Sequence, residues 1–208
     1  MGTTRLPREQ RRAQILQAAA SVFVEAGFDG TSMDDVARAA GVTRLIVYRI
    51  FESKFELYTA VLQQVMDELM VRFGPNPEHL AETVDVALAD PTVARRVVEV
   101  GRLHPDAFRL LWRHAVNEPD FAELATEFRS IIFAFAEWLI APVIVEGALR
   151  RWASRAVTSY LYEGICLWLD EAAAADDEEF VIALEAGARG MVLALAGELP
   201  LRAATRPL

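Results

Sequence analysis

Among its 208 residues the chain has one cysteine, Cys166, and one lysine, Lys54. A lone thiol excludes an internal disulfide and any Cys-based zinc site within one chain, and its neighbours Ile165, Leu167 and Trp168 read as the setting of a buried, inert thiol that suits a reducing compartment. Strand-like alternation of useful length is missing and so is low complexity, which leaves an all-α chain. There is no glycine-rich phosphate loop. His79, His104 and His114 form neither an H-E-x-x-H nor an i, i+4 pair, and Cys166 has no basic partner near it in sequence, so no catalytic residue, cofactor or metal ligand is expected. Asp176, Asp177, Glu178 and Glu179 read first as an acidic helix start that complements the dipole. The most apolar run, Ile131 to Val145, contains Glu137 and Pro142 and falls short of the roughly 20 residues that span a bilayer; it reads as a buried helix. The basic N-terminus lacks the hydrophobic core of a signal peptide, so the expected location is cytoplasmic, with no membrane partner.

What is present is apolar mass and unevenly placed charge. Hydrophobic residues make up 53% of the chain, enough for one mid-sized domain or for a small one beside a larger one. Residues 1–58 hold 8 Lys+Arg against 7 Asp+Glu, which leaves 13 against 23 for residues 59–208 in a chain of net charge −9. A near-neutral head is thus carried on an acidic body, and any binding of the head to DNA is expected to be local and salt-sensitive. Arg5, Arg8, Arg11 and Arg12 cluster at the start, either as an arm that follows a minor groove or phosphates, or as the solvated first turns of an amphipathic helix over Pro7–Ala26.

Ser32 to Phe51, SMDDVARAAGVTRLIVYRIF, reads as two short helices hinged at Gly41. Ser32 is a good N-cap and Asp35 can answer it in a capping box. Met33, Val36, Ala37 and Ala40 then fall on one face, before Gly41 permits a left-handed turn and Val42 plugs the hinge. In the second helix Val47, Ile50 and Phe51 turn toward the first, while Arg44, Leu45, Tyr48 and Arg49 share an outward face. Arginine can take guanine edges or hold phosphates, tyrosine can donate to a phosphate, and leucine can touch a thymine methyl. The alternative is a core-packed helical hairpin with a solvated basic face. Ser53 to Glu56 is a second S-x-x-E box, which starts a fourth helix running to about Phe73 before Gly74, Pro75 and Pro77.

Arg12, Ile15, Leu16, Ala18, Ala19, Phe23, Gly27, Phe28, Gly30, Ser32, Met33, Val36, Ala37, Gly41, Val42, Tyr48, Phe51, Ser53, Lys54 and Leu57 together resemble the N-terminal domain of TetR-family transcriptional regulators. The resemblance implies a three-helix DNA-binding head (9–69, with the helix-turn-helix at 32–51) on a larger helical body (70–208) that dimerises and binds a small effector. It also implies that Ser32, Thr43, Tyr48 and Lys54 position phosphates and that Arg49 contacts phosphate or base. Leu45 and Ile46 depart from the small pair frequent in the family, which leaves their contacts open.

Prolines at 77, 91, 105 and 119 can each open a helix of the body, and three longer helical stretches follow, at roughly 119–147, 150–173 and 177–198. In the last one, Ala183, Gly187, Gly190, Ala194 and Gly197 form a face almost without side chains, opposite the bulkier Phe180, Leu184, Met191 and Leu195. Such a seam admits another helix closely. The resemblance makes it the dimer interface, with close intrachain packing as the alternative. Most of the aromatic residues of the middle helices read as core, yet Phe108, Trp112, Phe128, Phe135, Trp138, Tyr160 and Trp168, interleaved with Arg102, His104, His114, Glu137 and Glu163, also have the composition of an apolar cavity with a few polar groups, where the resemblance places an effector of unknown identity. The combined expectation is a homodimeric regulator of a palindromic double-stranded operator, a repressor released by a hydrophobic or amphipathic ligand. The rivals are a ligand-binding protein without operator recognition, and an activator of the same fold.

Overall fold

The computed structural model describes residues 7–73 and 92–197, and every element among them is helical. In chain order these are α1 (Arg8–Gly30), α2 (Met33–Ala39), α3 (Arg44–Ile50), α4 (Lys54–Phe73), α5 (Thr92–Leu103), α6 (Pro105–Arg109), α7 (Ala122–Ile140), α8 (Ala148–Glu171) and α9 (Asp177–Leu195). A π-helical turn, Leu110–His114, and a 3-10 turn, Ala115–Asn117, follow α6, and a second 3-10 turn, Ala174–Asp176, precedes α9. The expected breaks at Gly74, Pro75 and Pro77, the helix openings at Pro77 and Pro91, the residue His79 and the Arg5 end of the basic arm lie outside the described residues. No described helix is long and apolar enough to cross a membrane, and no described group of acids, His or Cys is placed to hold a metal.

The described residues form two compact units. One takes the residues up to Val71 together with Val100–Phe128, and the other takes the remainder. In the first, α1 buries Ile15, Leu16, Ala19, Ala20 and Phe23 along one face. Val36 of α2, Val47 and Phe51 at α3, and Leu57, Tyr58, Val61, Leu62, Val65 and Leu69 of α4 are closed off as well. Each large side chain so buried contributes about 1.5–3 kcal/mol. The hinge between α2 and α3 closes as its sequence requires: Gly41 sits at φ 62, Val42 N donates to Ala37 O at 2.9 Å and Gly41 N to Arg38 O at 3.1 Å. These bonds satisfy carbonyls left open at the end of α2. Phe108, Leu110 and Leu111 complete this core, and α1 packs against α6 and the π-helical turn.

In the second unit α8 and α9 form an antiparallel pair. Ala153 and Val157 share a cluster with Val192, Ile140 and Ile144 near one end, and Trp168 stacks on Phe180 near the other, with ring centroids 4.4 Å apart at 5°. Trp168 Nε1 also donates to Asp177 Oδ1 at 2.8 Å. Between these ends the helices approach closely: a Cβ on Gly164 would lie 3.1 Å from Leu184 Cδ1, and one on Gly187 would overlap the Tyr160 hydroxyl.

Two expectations about the body are corrected. Pro119 opens a single hydrogen-bonded turn, not α7 itself. Glu118 is held extended before it at φ −89, ψ 116, as the proline ring favours; its carbonyl accepts from Phe121 N and Ala122 N, and the regular helix α7 begins at Ala122. Ile131–Val145 is not one buried helix. The helix ends at Ile140, just before Pro142, which has no amide hydrogen to offer, and Ile131 and Val145 are 48% and 86% exposed.

Candidate nucleic-acid interface

α3 divides its residues sharply. Val47 is fully buried, whereas Arg44, Leu45, Tyr48 and Arg49 are all exposed, Leu45 to 68%. Ile50 is half-buried, so the inward face is narrower than its sequence suggested. Thr43, itself exposed, caps the helix through backbone geometry alone, without a side-chain capping bond. Arg49 makes no ion pair or hydrogen bond among the described residues.

Arg44 is held on three sides. Its Nη1 donates to Asp34 Oδ2 at 2.8 Å, its Nη2 to the Tyr48 hydroxyl at 3.3 Å, and the guanidinium carbon lies 5.2 Å from the Tyr48 ring centroid. The Tyr48 hydrogen bond, with Asp34 behind it, favours the charged guanidinium. Asp34 belongs to the first turn of α2 and reads from sequence only as a helix-start acid. Nothing in the spacing of ten residues signals that it reaches Arg44.

Ser32 is engaged by its own helix. Its Oγ accepts from Asp35 N at 3.2 Å and donates to the Asp35 carboxylate, which accepts in turn from Ser32 N at 3.0 Å. The expected capping box is therefore complete, and the bonds from Ser32 hold the Asp35 carboxyl below its ordinary value. At α4 the box is only half formed. Glu56 N donates to Ser53 Oγ at 3.1 Å, but the Glu56 carboxylate takes Glu52 N, one residue before the cap.

Lys54, expected to aim at a phosphate, donates to Phe28 O at 2.6 Å, with its ammonium 4.3 Å from the Phe28 ring centroid. One of its three donors is thereby used and two remain. Phe28 is held on its other side as well, since its N–H donates to Glu118 Oε1 at 3.1 Å. The route to this arrangement is Gly27, whose φ of 72 and ψ of 174 break α1 and turn the chain; a residue with a Cβ adopts such backbone only at a cost. Around Phe28 stand Phe23, Tyr58 and Phe121, with the Tyr58 and Phe121 centroids 4.1 Å apart. The Tyr58 hydroxyl is buried without a hydrogen-bond partner among the described residues, and burial, followed by the nearby Glu118 charge, pushes its pKa up. Sequence reasoning missed Glu118, 90 residues from Phe28, because no local pattern encodes such a pairing.

The aromatic residues proposed for an effector fall into two groups. Phe108, Trp112 and Phe128 are buried in the first unit. In the second, Phe135 stacks beside Trp138 at 6.1 Å, Trp168 stacks on Phe180, and Tyr160 is exposed against Gly187. A groove of about 300 Å³ does exist between α1 and α4, but Arg12, Gln63, Gln64, Asp67 and Glu68 line it, and none of the aromatic set does. On α9, Ala183 and Gly187 are exposed, Gly190 and Ala194 are half-buried, and a Cβ on Gly190 would meet nothing within 4 Å. Gly197 lies beyond the helix at φ 78, so the small-residue seam on α9 ends at Ala194.

Residues 15–61 match the family described as bacterial regulatory proteins, tetR family. The HTH-type transcriptional activator FasR of Mycolicibacterium smegmatis is 50% identical over 66 residues, a stretch covering 32% of this chain and 30% of that protein. The match thus spans about a third of the curated relative's length. A TetR-like transcriptional regulator from Rhodococcus sp. RHA1 is similar in fold, with a TM-score of 0.70 at 21% identity, covering 93% of this chain and 100% of that one. A member of the TetR transcriptional regulator family from Streptomyces coelicolor is 26% identical with a TM-score of 0.62, over 89% and 90% of the two chains.

Proposed function

We propose, on the premise that this chain belongs to the tetR family of bacterial regulatory proteins, that it is a homodimeric, sequence-specific DNA-binding transcriptional regulator. The observation that carries this is the outer face of α3, where two arginines, a tyrosine and a leucine stand in solvent beside the fully buried Val47. Residues 9–69 act as the DNA-binding head, with Thr43, Arg44, Leu45, Tyr48 and Arg49 toward the duplex and Ser32 and Lys54 at its phosphates. Residues 70–208 act as the dimerising, effector-binding body. The exposed Ala183 and Gly187, with the open space over Gly190, support α9 as the dimer seam, and a dimer places two heads on a palindrome with half-sites one turn, about 34 Å, apart. The effector is an apolar or amphipathic organic molecule held by the body. It lowers operator affinity by favouring a head spacing that misfits successive grooves. Action on chromosomal DNA places the protein in the cytoplasm, and no catalytic role is assigned.

Repression is the main reading. Activation is the second, favoured by the 50% identity to a segment of a named activator. Selection of bound fragments from random DNA by the purified protein tests the proposal. A recovered palindrome supports a two-headed reader, and binding without sequence preference, or no binding, overturns it. Transcription from a promoter carrying the recovered motif, with and without the protein, separates repression from activation.

A further inference from the structure

We propose that Asp34 is a specificity-determining residue: it holds Arg44 in a fixed pose and cancels much of its charge, so that Arg44 discriminates bases instead of gripping phosphates. The inference rests on the DNA-binding reading above. Asp34 and Arg44 are half exposed, with side chains 50% and 58% accessible, and an ion pair in such a setting adds little to stability. Its placement has a cost for DNA binding, because it puts a carboxylate beside the outer face of α3 in a head whose formal charge is close to zero. A carboxylate there repels phosphates and lowers affinity for any duplex.

The geometry supplies the return. An unrestrained arginine samples many rotamers and satisfies itself on the nearest phosphate. Here Asp34 Oδ2 takes Nη1 at 2.8 Å, the Tyr48 hydroxyl takes Nη2 at 3.3 Å, and the Tyr48 ring lies against the guanidinium. Two of its five N–H groups are used and three remain for a partner. A group pre-oriented in this way loses less conformational freedom on meeting the matching base edge. A near-neutral pair gains little from phosphates that every sequence offers.

The test compares Asp34→Ala, Asp34→Asn, Arg44→Ala and the Asp34→Ala/Arg44→Ala double variant. Each is titrated with the operator selected by the wild type and with a scrambled duplex, at several salt concentrations. Thermal melting confirms that each variant is folded, as expected at exposed positions. For Asp34→Ala, binding to scrambled DNA strengthens, the salt dependence steepens by about one counterion per head, and the operator-to-scrambled ratio falls roughly tenfold. Asp34→Asn steepens the salt dependence equally but loses less of the ratio, since its amide oxygen still accepts from Arg44. In the Arg44→Ala background, removing Asp34 changes the ratio no further, because the effect passes through Arg44. An unchanged ratio in Asp34→Ala, or an equal loss in both backgrounds, overturns the assignment. If the wild type selects no operator, the regulator reading fails first and this inference with it.

Discussion

The two arginines of α3 differ in ways their residue type does not reveal. Arg44 is paired with Asp34, while Arg49 stands exposed without an ion pair among the described residues. Arg49→Ala is therefore expected to weaken operator and scrambled DNA alike and to make the salt dependence shallower by about one counterion per head. An operator-selective loss of about 1–3 kcal/mol in the same titration would instead assign it a base edge. Ser32 makes a second case at this scale. Its capping bonds predict that Ser32→Ala costs about 1 kcal/mol in a denaturant titration. They also fix a pH dependence. Because the folded Asp35 carboxyl lies below its ordinary value of 3.8, its contribution is fully present above that pH and is lost only as the pH falls through the depressed value. Thermal melts on either side of that range should show the difference between wild type and Ser32→Ala shrinking in acid and constant near neutrality.

Among elements, the junction of α1, α4 and the turn before α7 rests on Phe28, Tyr58 and Phe121. Phe121 is almost fully buried, so Phe121→Ala should cost about 3–5 kcal/mol by chemical denaturation. Tyr58→Phe keeps the ring against Phe121 and removes a buried donor that lacks a partner, so its stability should equal or exceed that of the wild type. A loss above about 1 kcal/mol would show that the hydroxyl has a role. The helices themselves were legible from periodicity and punctuation: α4 spans the expected Lys54–Phe73, and the Gly41 hinge takes its left-handed turn. The junction was not legible. Gly27 and Phe28 stand among the residues of the resemblance, but nothing near them points to Glu118, and only the folded chain brings its carboxylate to the Phe28 amide. Pro119 marks a turn closed on the Glu118 carbonyl, and the regular helix starts only at Ala122.

For the whole molecule the outer face of α3 was readable because one side of a short helix must pack and the other cannot. The ligand residues were not, since an aromatic that lines a cavity and one that fills a core obey the same pattern. The glycine seam shows the same ambiguity and suggests how to resolve it. Gly187 lies against Tyr160 of its own chain, whereas a side chain at Gly190 meets open space. Gly190→Leu should therefore leave the helical content unchanged, shift the protein from dimer to monomer in sedimentation, and weaken operator binding, because one head engages one half-site. Gly187→Leu confounds the two roles by displacing Tyr160. A Gly190→Leu protein that remains dimeric would remove α9 from the interface.

Cys166 is fully buried in the second unit, and Lys54 lies at the edge of the first. Because each is alone of its kind, the unaltered chain carries two chemically orthogonal reporters. A thiol reagent records how often the second unit opens, since a buried sulfur reacts only in the opened form. Acylation of Lys54 proceeds only through the neutral amine, released from the Phe28 carbonyl, and so tracks how firmly that contact is held. Followed together while DNA or a metabolite is added, the two modification rates report, without any substitution in the chain, which unit tightens and which loosens.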